Sequence, residues 1–396
     1  MSDQNVPLSD LDYGREEEEA VLRVLRGKWL STGPEVEAFE REIAGSVGVR
    51  HAVAVANGTA ALHLSLLALG IGPGDEVIQP AINFVAAANV TRAVGATPVF
   101  ADIVGLDEPV LDPADVERRI TPRTRAVVVM HYGGYATRLV EIARLCRARG
   151  VALVEDACHA LGARASDHAG DPGGAPMAGA LGDLSCFSFF SNKNLPIGEG
   201  GMVVTDDARL STAVARLRSH GMTSLSWDRH RGHAASYDVV ANGYNYRMDD
   251  LRAALGRAQA AKLMHNNERR RGLVVAYRAR LRGLPGMIVP FGDAEVASSA
   301  CHLMTVVAPG AEARHVVADA LRRRGIQTSL HYPCVTGFSA FAGSGEGPPR
   351  STEYAGRTLT LPLFPTLTAQ TVDRICDAVE AALHDAACSP DLARAG

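Results

Sequence analysis

The stretch FSFFSNKNLPIGEGGMVVTDD, residues 187–207, places Lys193 between two asparagines and just before a glycine-rich turn. The chain has 396 residues and 40 lysines and arginines, of which only Lys28, Lys193 and Lys262 are lysine. A guanidinium stays protonated, whereas an amine can lose its proton and form a Schiff base. A lysine kept where arginine otherwise supplies the charge points to imine chemistry, against the plainer alternative of a solvated loop lysine. Asp156 ends the apolar segment VALVED (151–156). A carboxylate there needs a partner, because burying it alone is costly; it either caps the next helix or holds a cationic ring nitrogen. His159 follows three residues later, one turn away if the chain is helical there, as a packing histidine or a ligand contact. In NGTAAL (57–62), Gly58 lets the backbone turn while Thr59 and Ala60 open a helix. Free amides at a helix start suit a phosphate, or the motif is only a cap.

The elements around these residues set the frame. HAVAVA (51–56), DEVIQP (75–80), TPVFADI (97–103), AVVVM (126–130), VALVED (151–156), SCFSFF (185–190) and GMVVTD (201–206) read as strands. Helical patterns at 59–69, 84–94 and 137–150 separate several of them. Valine-rich strands spaced by helices predict an α/β fold with a mainly parallel sheet covered on both faces. After about residue 250 the character changes: a long helical region (249–284), a strand (302–309), a helix (311–325), a return (326–333) and a closing helix (368–386). This predicts a large α/β domain over 1–250 and a smaller α+β domain over 251–396. The run Glu16 to Glu19 is expected to be the solvated face of a first helix, 168–182 a long loop within the large domain, and 343–350 a surface loop.

Composition excludes several classes. A formal net charge of −4 argues against nucleic-acid binding and membrane-surface attachment. The N-terminal residues lack a signal-peptide pattern, and no apolar run approaches the ~20 residues of a membrane span. Seven cysteines without CxxC spacing read as reduced thiols, so a cytoplasmic protein is expected. No metal site is expected.

A phosphate cradle, an acid for a pyridinium, an aromatic at Phe84 and a Schiff-base lysine are what pyridoxal 5′-phosphate (PLP) requires. From GKWLSTGPEVEAFE (27–40) through NGTAAL, PAINFVAAANV, VEDACHALGA, FSFFSNKNLPIGEGGMV and GYNYRMDD to LHYP (330–333), the sequence resembles the PLP-dependent sugar aminotransferases of the DegT/DnrJ/StrS type. Those enzymes have the fold type I architecture of aspartate aminotransferase. The resemblance implies that Lys193 forms the lysine aldimine and Asp156 pairs with the pyridine nitrogen. Ser188 and the Thr59 and Ala60 amides, next to Gly58, hold the phosphate. Phe84 stacks on the ring. His159 stands beside the ring hydroxyl, where many relatives carry glutamine. Asn245 in GYNYR reaches the phosphate of a neighbouring subunit, which implies a homodimer with shared active sites; an ordinary turn asparagine is the alternative. Substrate-side candidates are Lys28 and Trp29, His331 and Tyr332 of LHYP, and Arg229, His230 and Arg231. The last three either meet a diphosphate or form a solvated basic loop.

The implied reaction takes an amino group from L-glutamate, leaves pyridoxamine 5′-phosphate, and passes the amine to a keto sugar nucleotide. GEGG after the lysine is closer to relatives acting at C4 than the GDGG of several acting at C3, so a 4-keto-6-deoxyhexose is expected. Acting on a 3-keto sugar or a cyclitol is the alternative within the family. Members that remove a hydroxyl carry histidine at the lysine position, and Lys193 argues against that reading. A non-catalytic PLP-binding sensor would need a DNA-binding segment, and no helix-turn-helix or basic arm is present.

Overall fold

The computed structural model describes residues 5–166, 174–224, 236–343 and 345–388. Seven strands form the main sheet: β1 (His51–Val55), β2 (Glu76–Pro80), β3 (Thr97–Ala101), β4 (Thr124–Met130), β5 (Ala152–Asp156), β6 (Leu184–Ser188) and β7 (Gly201–Thr205). Their spatial order is β1-β7-β6-β5-β4-β2-β3. Only β7 runs antiparallel to its neighbours. Six strands therefore end at one edge of the sheet, and β7 begins there.

Both faces are covered, as the valine-rich strands require. Along β4, Ala126 and Val128 pack with α3 (Gly58–Ala68) and α4 (Ala86–Ala93). The alternate residues Val127 and Val129 pack with Leu139 and Ile142 of α5 (Leu139–Arg149). Nearer β1, α2 (Pro34–Val47) buries Val36, Phe39 and Ile43 against Ala54, Phe187, Met202 and Val204. Asn57 caps α3, its side chain accepting from the Ala60 amide at 2.8 Å.

The long helical region forms a single helix, α6 (Asp250–Leu281), capped by Asp249, whose carboxylate accepts from the Arg252 amide at 2.9 Å. Its first half lies on α2, so closely that a Cβ on Gly256 would stand 2.7 Å from the Phe39 ring. Its last turns place Val274, Tyr277 and Leu281 in a core with β8 (Met304–Val307), α7 (Ala311–Arg323), β9 (Thr358–Leu361) and α9 (Ala369–Cys388). The strand expected at 302–309 shortens to β8, which pairs antiparallel with β9, a strand the sequence reading did not contain. Residues 326–333 make single bridges, Val6 to Ile326 and Ser329 to Thr360, and no continuous strand.

Two surface expectations are corrected. Glu17 is not solvated: it is 2% exposed and accepts from the Gly14 amide, Gln259 and Lys262, tying the first helix (Arg15–Gly27) to α6. The 343–350 stretch does not end as surface loop either. Pro349 starts α8 (Pro349–Arg357), and Arg350 and Ser351 bind Asp102 beyond the end of β3. Among the described residues, no helix is long and apolar enough to cross a membrane.

Candidate active site

The carboxyl edge of an open α/β sheet is where ligands bind, and the predicted residues gather there. Asp156 is the last residue of β5, paired in register with Met130 of β4 and Cys186 of β6. It is buried and accepts from the Cys158 amide at 3.3 Å. Ser188 ends β6, and the chain then turns so that the Lys193 amide donates to Phe190 O at 2.9 Å.

The Lys193 amine lies among charges and rings that it influences directly. Burial pulls it below the usual lysine value, while Cys158 and Asp156 act the other way. Burial and the Lys193 charge together hold His159 and His302 well below the ordinary histidine value, and bring His331 down to about 4. The site therefore has one amine, one carboxylate and three neutral imidazoles.

Gly58 lies at the start of α3 against Ser188. A Cβ there would be 2.9 Å from Ser188 Cβ and 3.1 Å from Cys158 Sγ. Gly201, at the start of β7, lets the chain pass under the same turn; its Cβ would be 2.5 Å from Asn57 C and O. This glycine-lined cradle fits a phosphate beside Ser188 and the first-turn amides. Together with the Lys193 and Asp156 pair, it fits PLP. One detail differs from expectation: the Ala60 amide is not free, because Asn57 Oδ1 takes it, which leaves the Gly58 and Thr59 amides for an anion.

His159 is 3% exposed, and its Nε2 lies 3.0 Å from the Tyr332 hydroxyl. His331 is held by a 2.9 Å hydrogen bond between Nδ1 and Thr360 Oγ1, and its carbonyl accepts from Tyr132. Phe84 follows β2, is 56% exposed, and its ring centroid is 6.2 Å from that of Tyr332. These residues meet at one edge although 248 positions separate Phe84 from Tyr332.

The described contacts of Lys28, Trp29 and Asn245 involve other residues. Lys28 is the exposed left-handed cap of the first helix. Trp29 donates from its indole to Thr32 O at 3.3 Å, beside Gly33 and Asp250. Asn245 is exposed and bridges to Ser219 through the backbone. Arg229, His230 and Arg231 lie outside the described residues.

The structure adds residues that the sequence did not single out. Glu155, next to Asp156 but on the opposite face of β5, is fully buried. It binds His131 at 2.7 Å and accepts from the amides of Gly179 (2.7 Å), Leu181 (2.8 Å) and Gly182 (2.6 Å). Burial alone would raise its carboxyl, but these bonds hold it below the usual range. It fastens residues 179–182, the end of the stretch expected as a loop over 168–182, of which 168–173 lie outside the described residues. His302 and Asn194 also join the cluster. An EDxxH pattern hints at His159, but nothing in the local sequence marks His302.

A lysine and an aspartate at the carboxyl edge of a mainly parallel sheet, beside a glycine-lined anion cradle, define a fold type I PLP-dependent aminotransferase. The model of the DegT/DnrJ/EryC1/StrS aminotransferase family matches residues 12–380, and the chain belongs to that family. It is 39% identical over 377 residues to the spore coat polysaccharide biosynthesis protein SpsC of Bacillus subtilis (strain 168), covering 92% of this chain and 94% of that protein. The aminotransferase TlmJ from Streptoalloteichus hindustanus superposes with a TM-score of 0.87 at 35% identity, over 97% of this chain and 100% of that one. DesI, crystallised in the presence of its TDP-sugar product, superposes with a TM-score of 0.84 at 32% identity, over 97% and 94%. This chain is a PLP-dependent sugar aminotransferase.

Proposed function

We propose that the enzyme moves the amino group of L-glutamate to a 4-keto-6-deoxyhexose carried on a nucleotide, giving a 4-amino sugar. The observation that carries this reading is the half-buried Lys193 amine that senses the Asp156 charge, in a family whose structural relative DesI has a TDP-sugar product. The GEGG stretch after Lys193 supports the C4 position.

Bound PLP supplies an electron sink and carries the amino group between donor and acceptor. Gly58, Thr59 and Ser188 bind its phosphate, and the Asp156 carboxylate keeps the ring nitrogen cationic. Lys193 Nζ takes and returns the proton at the reacting carbon. Burial favours its neutral form, and Asp156 and Cys158 favour the charged form, so the amine can serve in both directions. Phe84 would hold the ring by stacking, and Tyr332 and His331 would line the sugar side. Asn245 reaches the partner subunit's phosphate site in a homodimer. Exposed Phe84, Phe190, Val239 and Val240 suit a surface that a second copy covers. In this reading residues 1–250 bind the cofactor, and 251–396 close the substrate side.

The test is a panel of 4-keto and 3-keto nucleotide sugars and keto-cyclitols, each incubated with the enzyme and L-glutamate and read by mass. Amination of a 4-keto nucleotide sugar in preference to the others is expected. Preferred amination of a 3-keto sugar or a cyclitol would overturn the C4 assignment.

A further inference from the structure

Tyr132 lies two residues past the end of β4, and its neighbour His131 ties that segment to β5. The His131 amide donates to Asp156 O at 3.2 Å, and its ring binds Glu155 at 2.7 Å. The turn after Tyr132 is held from another side. Gly133 O accepts from the His302 amide at 2.8 Å, and Gly134 O from the Ala300 amide at 3.1 Å. A Cβ on Gly134, at φ +97°, would stand 2.9 Å from His159 O. The Tyr132 backbone is therefore fixed against the segments that carry Asp156 and His159.

The Tyr132 side chain leaves that segment for a different set of elements. It is buried in the core that the last turns of α6 build with β8, α7, β9 and α9. Its ring meets that of Tyr354 from α8 edge to face, with centroids 5.8 Å apart at 88°. The Tyr354 hydroxyl donates to the Tyr132 oxygen at 3.1 Å. The Tyr132 hydroxyl donates in turn to His331 O, which can only accept. Burial pushes the Tyr132 phenol well above its ordinary value, so it keeps its proton and remains a donor at neutral pH.

His331 thus has two anchors, its carbonyl on Tyr132 and its ring on Thr360 of β9, the latter at 2.9 Å. The next residue is Tyr332, whose hydroxyl lies 3.0 Å from His159 Nε2 and whose ring is 6.2 Å from that of Phe84. We propose that Tyr132 is a positioning residue: through the His331 carbonyl it sets Tyr332 against His159 and holds that wall of the substrate site. One two-residue segment, His131–Tyr132, then registers Asp156 and Tyr332 against each other. The assignment deepens the reading in which Tyr332 lines the sugar side, and rests on it.

Crystals of the holoenzyme give the first test. In the wild type Tyr132 should still donate to His331 O, and a Tyr132 hydroxyl bonded elsewhere would overturn the proposal. Tyr132→Phe keeps the ring and its contact with Tyr354 but leaves the buried His331 carbonyl without its donor. In that crystal the Tyr332 hydroxyl is expected to have left His159; a Tyr332 still at 3.0 Å would overturn the proposal. These crystals contain no sugar, so their answer is independent of the acceptor the enzyme takes. Kinetics give the second test. Tyr132→Phe should raise KM for the keto sugar nucleotide about tenfold, with a smaller change in kcat because Lys193 and Asp156 are untouched. Tyr354→Phe removes a hydroxyl from the same buried pair but leaves the bond to His331, so its KM should stay at the wild-type value. A wild-type KM in Tyr132→Phe, or the same rise in both variants, would show that Tyr132 only fills the core.

Discussion

In the proposed mechanism Lys193 and Asp156 divide the work that the site asks of single residues. Arginine cannot replace the lysine, because its guanidinium neither loses a proton nor condenses with a carbonyl. Lys193→Arg and Lys193→Ala should therefore both abolish transamination and the visible absorbance of the lysine-linked cofactor; turnover in Lys193→Arg near the wild-type rate would contradict this role. Asp156→Asn should still bind PLP through the cradle and the lysine, while kcat falls about a hundredfold, since a neutral amide cannot keep the ring nitrogen cationic. Stopped-flow turnover and a cofactor titration separate the two effects, and an unchanged kcat would move the ring contact elsewhere. His331 gives a pH signature. Its folded value of about 4 lies below the ordinary 6.5, so the unfolded chain takes the proton first as pH falls. Its contribution is complete above about pH 6.5 and is lost toward pH 4, amounting to about 3 kcal/mol. Urea unfolding should lose stability from about pH 7 to about pH 5, and lose less in His331→Gln; equal slopes in the two proteins would contradict it. The positions of Lys193 and Asp156 at the carboxyl edge of the sheet were legible in the sequence, because scarcity and an apolar strand set them apart. His302 was not, because 108 residues separate it from Asn194 and only the tertiary fold joins them.

At the scale of elements, two glycines shape the cradle between β1 and α3. A Cβ on Gly201 would meet the Asn57 carbonyl at 2.5 Å, and backbone there cannot move without shifting the first turn of α3. Gly201→Ala should lower stability by about 1–3 kcal/mol and weaken PLP binding. An absorbance titration checks the second part, and an unchanged Kd would show that the turn is not part of the cradle. Most of the sheet was legible, because strands buried on both faces read as runs of valine. The pairing partner β9 was not. Its sequence TLTL is only four residues long, all four are buried, and its identity as a strand depends on β8 lying beside it. Glu17 misled for a similar reason: a run of four glutamates looks solvated until α6 supplies Lys262 and Gln259.

On the scale of the whole molecule, the proposed dimer makes each site depend on two chains. Lys193→Ala and Asn245→Asp subunits should each be impaired alone. A mixed dimer has both lesions in one shared site and leaves the other intact, so activity should rise above either parent. No recovery in mixed dimers confirmed by native mass spectrometry would place Asn245 in its own chain's service. The central claim, that Lys193 passes an amine from glutamate to a nucleotide sugar, is tested most directly with ¹⁵N-labelled L-glutamate and a 4-keto-6-deoxyhexose nucleotide. Wild-type enzyme should place the label on the sugar, and Lys193→Arg should place none. Label on the sugar with Lys193→Arg at the wild-type rate, or no labelled sugar from wild type while glutamate is consumed, would contradict it.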